Sequence, residues 1–132
     1  MRKIQKVIIH CSATEEGKDY TVEDINSWHL ERGFKKIGYH YVIYRDGSIH
    51  VGRPLEEAGA HCKTQNVNSI GICYIGGLRN GKAADTRTPE QKEALKKIVA
   101  ACKLLIPDIT IHGHREFAAK DCPCFDVSAE EW

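Results

Sequence analysis

Two stretches of this chain gather side chains that bind metal ions. Residues 112–126 read His112-Gly113-His114-Arg115-Glu116-Phe117-Ala118-Ala119-Lys120-Asp121-Cys122-Pro123-Cys124-Phe125-Asp126, which packs two imidazoles, two thiols and a lysine into a short span. About a hundred residues earlier, Val7-Ile8-Ile9-His10-Cys11-Ser12-Ala13-Thr14 ends an apolar run on a histidine. Zinc takes imidazole nitrogen, thiolate or carboxylate in a tetrahedral shell, and a catalytic zinc keeps three protein ligands and leaves its fourth position to water. The two stretches therefore read as two halves of one zinc site. Spacing alone does not choose between His112 and His114, which share a face of an extended chain, or between Cys122 and Cys124.

Only a fold can join the halves. At 132 residues the chain suits one domain, spanning 1–132, and a domain of that size buries roughly two-thirds of the surface its unfolded chain exposes. The 42% hydrophobic and 28% charged fractions are those of a soluble globular protein and exclude a disordered chain. Lys plus Arg at 19 against Asp plus Glu at 18 leaves no basic footprint, so nucleic acid is not expected as a partner. The apolar runs are too short for a membrane span. Met1 to Lys6 leads straight into a short apolar segment with no secretory cleavage pattern, so synthesis in the cytosol as a soluble protein is expected. Six cysteines in such a chain read as reduced thiols, with Cys11, Cys62, Cys73 and Cys102 inert.

The elements that must position the site follow from local pattern. Lys6 to His10 is a short β-branched strand that delivers His10 at its end. Thr21 with Asp24 three residues on predicts a capped helix over 21–32, stopped at Gly33, with Trp28 and His29 in the core. Gly38 to Tyr44 and Ile49 to Val51, joined by an Asp46-Gly47 turn, predict a β-hairpin; Tyr39, Tyr41 and Ile43 face one way, His40, Val42 and Tyr44 the other. Ser69 to Ile75 is a core strand that ends at Gly76-Gly77. Thr88-Pro89-Glu90-Gln91 starts the clearest helix, with Leu95, Ile98, Val99, Cys102 and Leu105 as its apolar stripe. Ile109 to His112 is a last strand, and Ser128 to Trp132 starts a terminal helix. The sum is α/β, a single mixed β-sheet packed by two main helices.

Taken in order, His10-Cys11-Ser12-Ala13-Thr14, Gly38-Tyr39-His40-Tyr41 with Arg45-Asp46-Gly47, Gly59-Ala60-His61 with Asn68-Ser69-Ile70-Gly71-Ile72, Gly113-His114-Arg115-Glu116 and Lys120-Asp121-Cys122-Pro123 resemble the landmarks of the zinc-dependent N-acetylmuramoyl-L-alanine amidases. That family includes phage amidase lysozymes and animal peptidoglycan recognition proteins, and the resemblance runs from about residue 6 to 126. It implies zinc (Zn2+) held by His10, His114 and Cys122, with His112 a strand residue and Cys124 a departure from the family pattern. Tyr39 and Lys120 match the two catalytic side chains of the phage-type enzymes, one assisting the attacking water and one the oxyanion. His61 and Asn66 fall in the loop that lines the substrate groove in relatives, and His40 reads as structural.

The resemblance implies hydrolysis of the amide between N-acetylmuramic acid and L-alanine, on peptidoglycan or muropeptide, by a monomer that reaches the wall after release from a phage-infected or prophage-bearing cell. Two alternatives come with it. A non-catalytic recognition module would lack the zinc cysteine, which this chain has. A cytosolic recycling amidase would carry aspartate at the third ligand and glutamate in place of Tyr39.

Overall fold

The computed structural model describes residues 2–132. Along these residues run β1 (Lys6–Cys11), β2 (Thr14–Glu15), α1 (Val22–Glu31), β3 (Tyr41–Ile43), β4 (Ile49–Val51), β5 (Ser69–Tyr74), β6 (Gly77–Arg79), β7 (Lys82–Ala83), α2 (Pro89–Leu105) and β8 (Thr110–Gly113). Five strands form one sheet in the order β4-β3-β5-β1-β8. Its inner pairings, β3 with β5, β5 with β1 and β1 with β8, are parallel, and β4 closes one edge antiparallel. This is the mixed α/β sheet that the alternating pattern predicts.

The period of two along β1 divides the molecule. Val7, Ile9 and Cys11 join Ile70, Ile72 and Tyr74 of β5 in a core that α2 covers with Ala94, Leu95, Ile98, Val99 and Cys102. Ile8 and His10 therefore face the other way, toward the side where Ile25 of α1 packs with Ile37, Val42 and Ile75. Both helices start as their capping residues dictate: Thr21 and Asp24 form a reciprocal box, as do Thr88 and Gln91. Gln91 also reaches inward, where its Nε2 donates to Ile75 O at 3.0 Å and Ile43 O at 3.3 Å, tying α2 to the sheet.

Four details differ from the sequence pattern. A small second sheet that the pattern does not predict, β2-β6-β7, is held by the Arg79 to Glu16 ion pair at 2.8 Å and by Glu15 accepting from Gly81 N–H at 3.1 Å. The strand expected over 38–44 keeps regular pairing only at Tyr41–Ile43. Before it the chain bends, because His40 Nδ1 accepts from Gly71 N–H at 3.0 Å while Nε2 bonds Glu57 O at 2.8 Å. The bend puts Tyr39 in the same cluster as Val42 and Tyr44 instead of with Tyr41 and Ile43. Leu105, in the last turn of α2, extends past the sheet and is 80% exposed. The terminal helix is only a 3-10 turn at Val127–Ala129, closed by Trp132 Nε1 donating to Val127 O at 2.8 Å.

Candidate metal centre

Three ligand-type side chains meet at the carboxyl ends of β1 and β8, where open α/β sheets hold their sites. Parallel pairing sets Ile9 beside Gly113, so His10 at the end of β1 comes level with His114, the first residue of a 3-10 turn after β8. Glu116 fixes that turn by accepting from Gly113 N–H at 2.7 Å. The chain then loops back, and Arg115 N–H donates to Cys122 O at 2.8 Å. Cys122 Sγ also accepts from Cys11 N–H at 3.2 Å and lies 3.9 Å from His10 Nδ1. The ligating atoms of His10, His114 and Cys122 all lie within 4.8 Å of one another.

A hydrogen-bond chain assigns the protons. Ser69 hydroxyl donates to Gln65 O at 2.7 Å, which leaves its oxygen to accept from His61 Nε2–H at 3.2 Å. His61 Nδ1 then carries the lone pair and accepts from His10 Nε2–H at 2.8 Å. The remaining lone pair of His10 is on Nδ1, the nitrogen that faces Cys122. Burial, then the neighbouring histidines, depresses the pKa of His10 well below its ordinary value; burial takes His61 down to about 3 and lowers His114. All three imidazoles are neutral at neutral pH, as metal ligation requires. A tetrahedral zinc shell with bonds of roughly 2.0–2.3 Å spaces its ligand atoms roughly 3.3–3.6 Å apart, so closure of about 1 Å suits this donor set to the ion.

His61 thus spends both ring nitrogens on His10 and Ser69, although it also lines the adjoining cleft. Gly71 makes room for it: a Cβ there would sit 2.6 Å from the His61 ring. Asn66 Oδ1 accepts from the backbone N–H of His61 and of Cys62, both at 2.9 Å, which shapes the loop, and Asn66 also lines the cleft.

The cleft beside the cluster measures about 500 Å³ and is lined by Arg32, Phe34, His61, Lys63, Phe117 and Lys120, among others. Lys120 stands exposed on this wall, in no ion pair among the described residues. Tyr39 packs its ring 5.1 Å from that of His10 and 5.3 Å from that of His29, and burial raises its pKa well above the ordinary phenol value. It is a neutral phenol at neutral pH. Sequence reading missed Arg32, Phe34, Lys63 and Phe117; Arg32 and Phe34 flank the glycine that marks the end of α1, so they read as helix terminus and loop.

The two competing candidates lie elsewhere. His112 has both ring nitrogens engaged, Nδ1 with the Glu116 carboxylate at 2.8 Å and Nε2 with the Thr110 hydroxyl at 2.7 Å. Cys124 Sγ lies 3.7 Å from Cys11 Sγ, and all six cysteines are free thiols. Burial and Cys11 push the Cys124 thiol up to about 12, and the hydrogen bond with Cys122 together with burial raises Cys11 as well.

The family model described as N-acetylmuramoyl-L-alanine amidase matches residues 1–125. The chain belongs to that family. It is 37% identical over 122 residues to the endolysin of Escherichia phage T7, covering 92% of this chain and 81% of the relative. The endolysin of Klebsiella phage KP32 is 35% identical over 127 residues, covering 96% and 84%. Among solved structures, Drosophila PGRP-LB superposes with a TM-score of 0.79 at 30% identity, over 93% of this chain and 76% of that one. An amidase LysCS from Clostridium intestinale, at 24% identity and a TM-score of 0.82 over 92% and 76%, shares the fold. No helix of the described residues is long and apolar enough to cross a membrane.

Proposed function

We propose that residues 1–132 act as one catalytic domain, a zinc-dependent amidase that hydrolyses the bond between N-acetylmuramic acid and the L-alanine of peptidoglycan stem peptides. The observation that carries the reading is the His10, His114 and Cys122 cluster at one end of the sheet, beside a cleft with Lys120 on its wall. Membership of the amidase family and the likeness to phage endolysins support the same substrate class.

In this reading His10 Nδ1, a nitrogen of His114 and the Cys122 thiolate hold the ion. Zinc supplies Lewis-acid polarisation of the scissile carbonyl and brings the pKa of water to about 7. His61 keeps His10 in the ligating tautomer through the Ser69 bond, a positioning role that replaces direct substrate contact. Tyr39, protonated because its phenol is buried, orients the attacking water by hydrogen bonding; at neutral pH it does not accept the proton as a phenolate would. Lys120 donates to the carbonyl oxygen as negative charge builds on it. Asn66 offers its amide nitrogen to the stem peptide from the loop it shapes. The protein acts as a monomer on the wall after release from the cytoplasm, as a lysis enzyme.

Mass spectrometry of digested sacculi tests the reading. The expected result is released stem peptides with new L-alanine amino termini and intact glycan strands. New reducing ends without free L-alanine, or muropeptide binding without turnover in zinc-replete buffer, would contradict it.

A further inference from the structure

Cys124 plays no part in the proposed metal centre, yet it ends opposite another cysteine far away in sequence. Its Sγ lies 3.7 Å from that of Cys11, the residue after His10, while Cys124 itself is two positions beyond Cys122. The backbone opposite is cleared for Cys11: a Cβ at Gly77 would meet Cys11 Sγ at 2.6 Å, while Cys124 Sγ lies at ordinary contact distance, 3.6 Å, from the same point. Cys11 is buried at 4% exposure, whereas Cys124 is half-buried, so the two differ in access.

We propose that Cys11 and Cys124 form a disulfide that covalently joins the two halves of the metal centre while leaving Cys122 free to ligate. The sulfurs need an approach of about 1.7 Å to reach a bond of about 2.05 Å. Cys124, the more accessible thiol, gives its proton to base in solution and, in the small fraction so ionised, attacks one sulfur of an oxidised dithiol such as glutathione disulfide, which expels one thiolate and gives a mixed disulfide. Deprotonated Cys11 then attacks Cys124 Sγ and expels the second. Two protein thiols are oxidised by two electrons, one disulfide of the oxidant is reduced to two thiols, and the two protons go to the departing thiolates. Cys122 also touches Cys11, but its Sγ accepts from the Cys11 amide and faces His10, so a crosslink through it would remove a proposed ligand and is the competing outcome of the test. Thiol reductants would keep the pair open and an oxidising compartment would close it. Closed, the bond ties the strand carrying His10 to the loop carrying Cys122, so release of a bound ion would require more than the opening of that loop.

The test is independent of amidase activity. Whole protein, with and without added zinc, is treated with glutathione disulfide, alkylated and mapped by mass spectrometry. The expected outcome is loss of about 2 Da before alkylation and a single Cys11–Cys124 crosslink. The oxidised protein should melt about 5 °C or more higher and lose zinc to a chelator more slowly than the reduced form. Cys124→Gly, which suits the left-handed backbone there (φ 70°), should show neither change on oxidation. Six alkylatable thiols after oxidation, a stable glutathione adduct on Cys124, or a crosslink through Cys122 would overturn the proposal.

Discussion

The two faces of the five-stranded sheet are built from the same strands and made for different work. Toward α2, β1 and β5 present Val7, Ile9, Ile70 and Ile72 to an apolar core. Toward the other side β1 presents His10, and β5 presents Gly71, whose missing Cβ admits His61. One residue of register decides which chemistry a strand position sees, because side chains alternate between faces. The larger apolar core therefore lies on one face and the candidate ligands on the other, beside a smaller apolar cluster, and substitutions in the larger core and in the ligand cluster should separate.

Among substitutions that leave the proposed ligands in place, the largest effect is expected at Lys120. Lys120→Met should lower kcat by roughly 100- to 1,000-fold, the usual cost of one lost oxyanion donor, with zinc content and melting temperature unchanged; a fall in KM-level binding alone would remove it from that role. His61→Phe comes next. It fills the space beside Gly71 yet offers His10 no acceptor, and should weaken zinc about 10- to 100-fold, measured by competition with a chromogenic chelator. Unaltered zinc affinity would show that the relay through Ser69 does not position the ligand. On the opposite face, Leu95→Ala should destabilise by about 2–5 kcal/mol in urea unfolding and leave the turnover of the folded fraction almost as it was. If Leu95→Ala removed zinc from the folded protein, the separation of the faces would fail.

Local chemistry made much of this fold legible. The caps at Thr21 and Thr88 and the proline at position 89 define helix starts that the structure reproduces, and the β-branched runs at 6–10 and 69–75 become the central strands. What local pattern could not carry was tertiary: the small sheet depends on Glu15 and Glu16 meeting residues more than sixty positions away. The bend before β3 depends on hydrogen bonds to His40 from elsewhere in the chain. In the site, spacing left His112 beside His114 and Cys124 beside Cys122, and family resemblance made the choice. The structure gives that choice a physical basis. Thr110 and Glu116 occupy both nitrogens of His112, and Cys124 faces Cys11. The proposed positioning role of His61 was hidden because its partners are set by a fold-dependent glycine and serine.

The most direct test of the account is zinc stoichiometry paired with stem-peptide release for the metal-stripped and reconstituted protein and for Cys122→Ala. One zinc per wild-type chain is expected, with activity that rises in proportion to occupancy and a folded Cys122→Ala protein that has neither stoichiometric zinc nor release. Full release by stripped protein, or stoichiometric zinc with normal activity in Cys122→Ala, would contradict it.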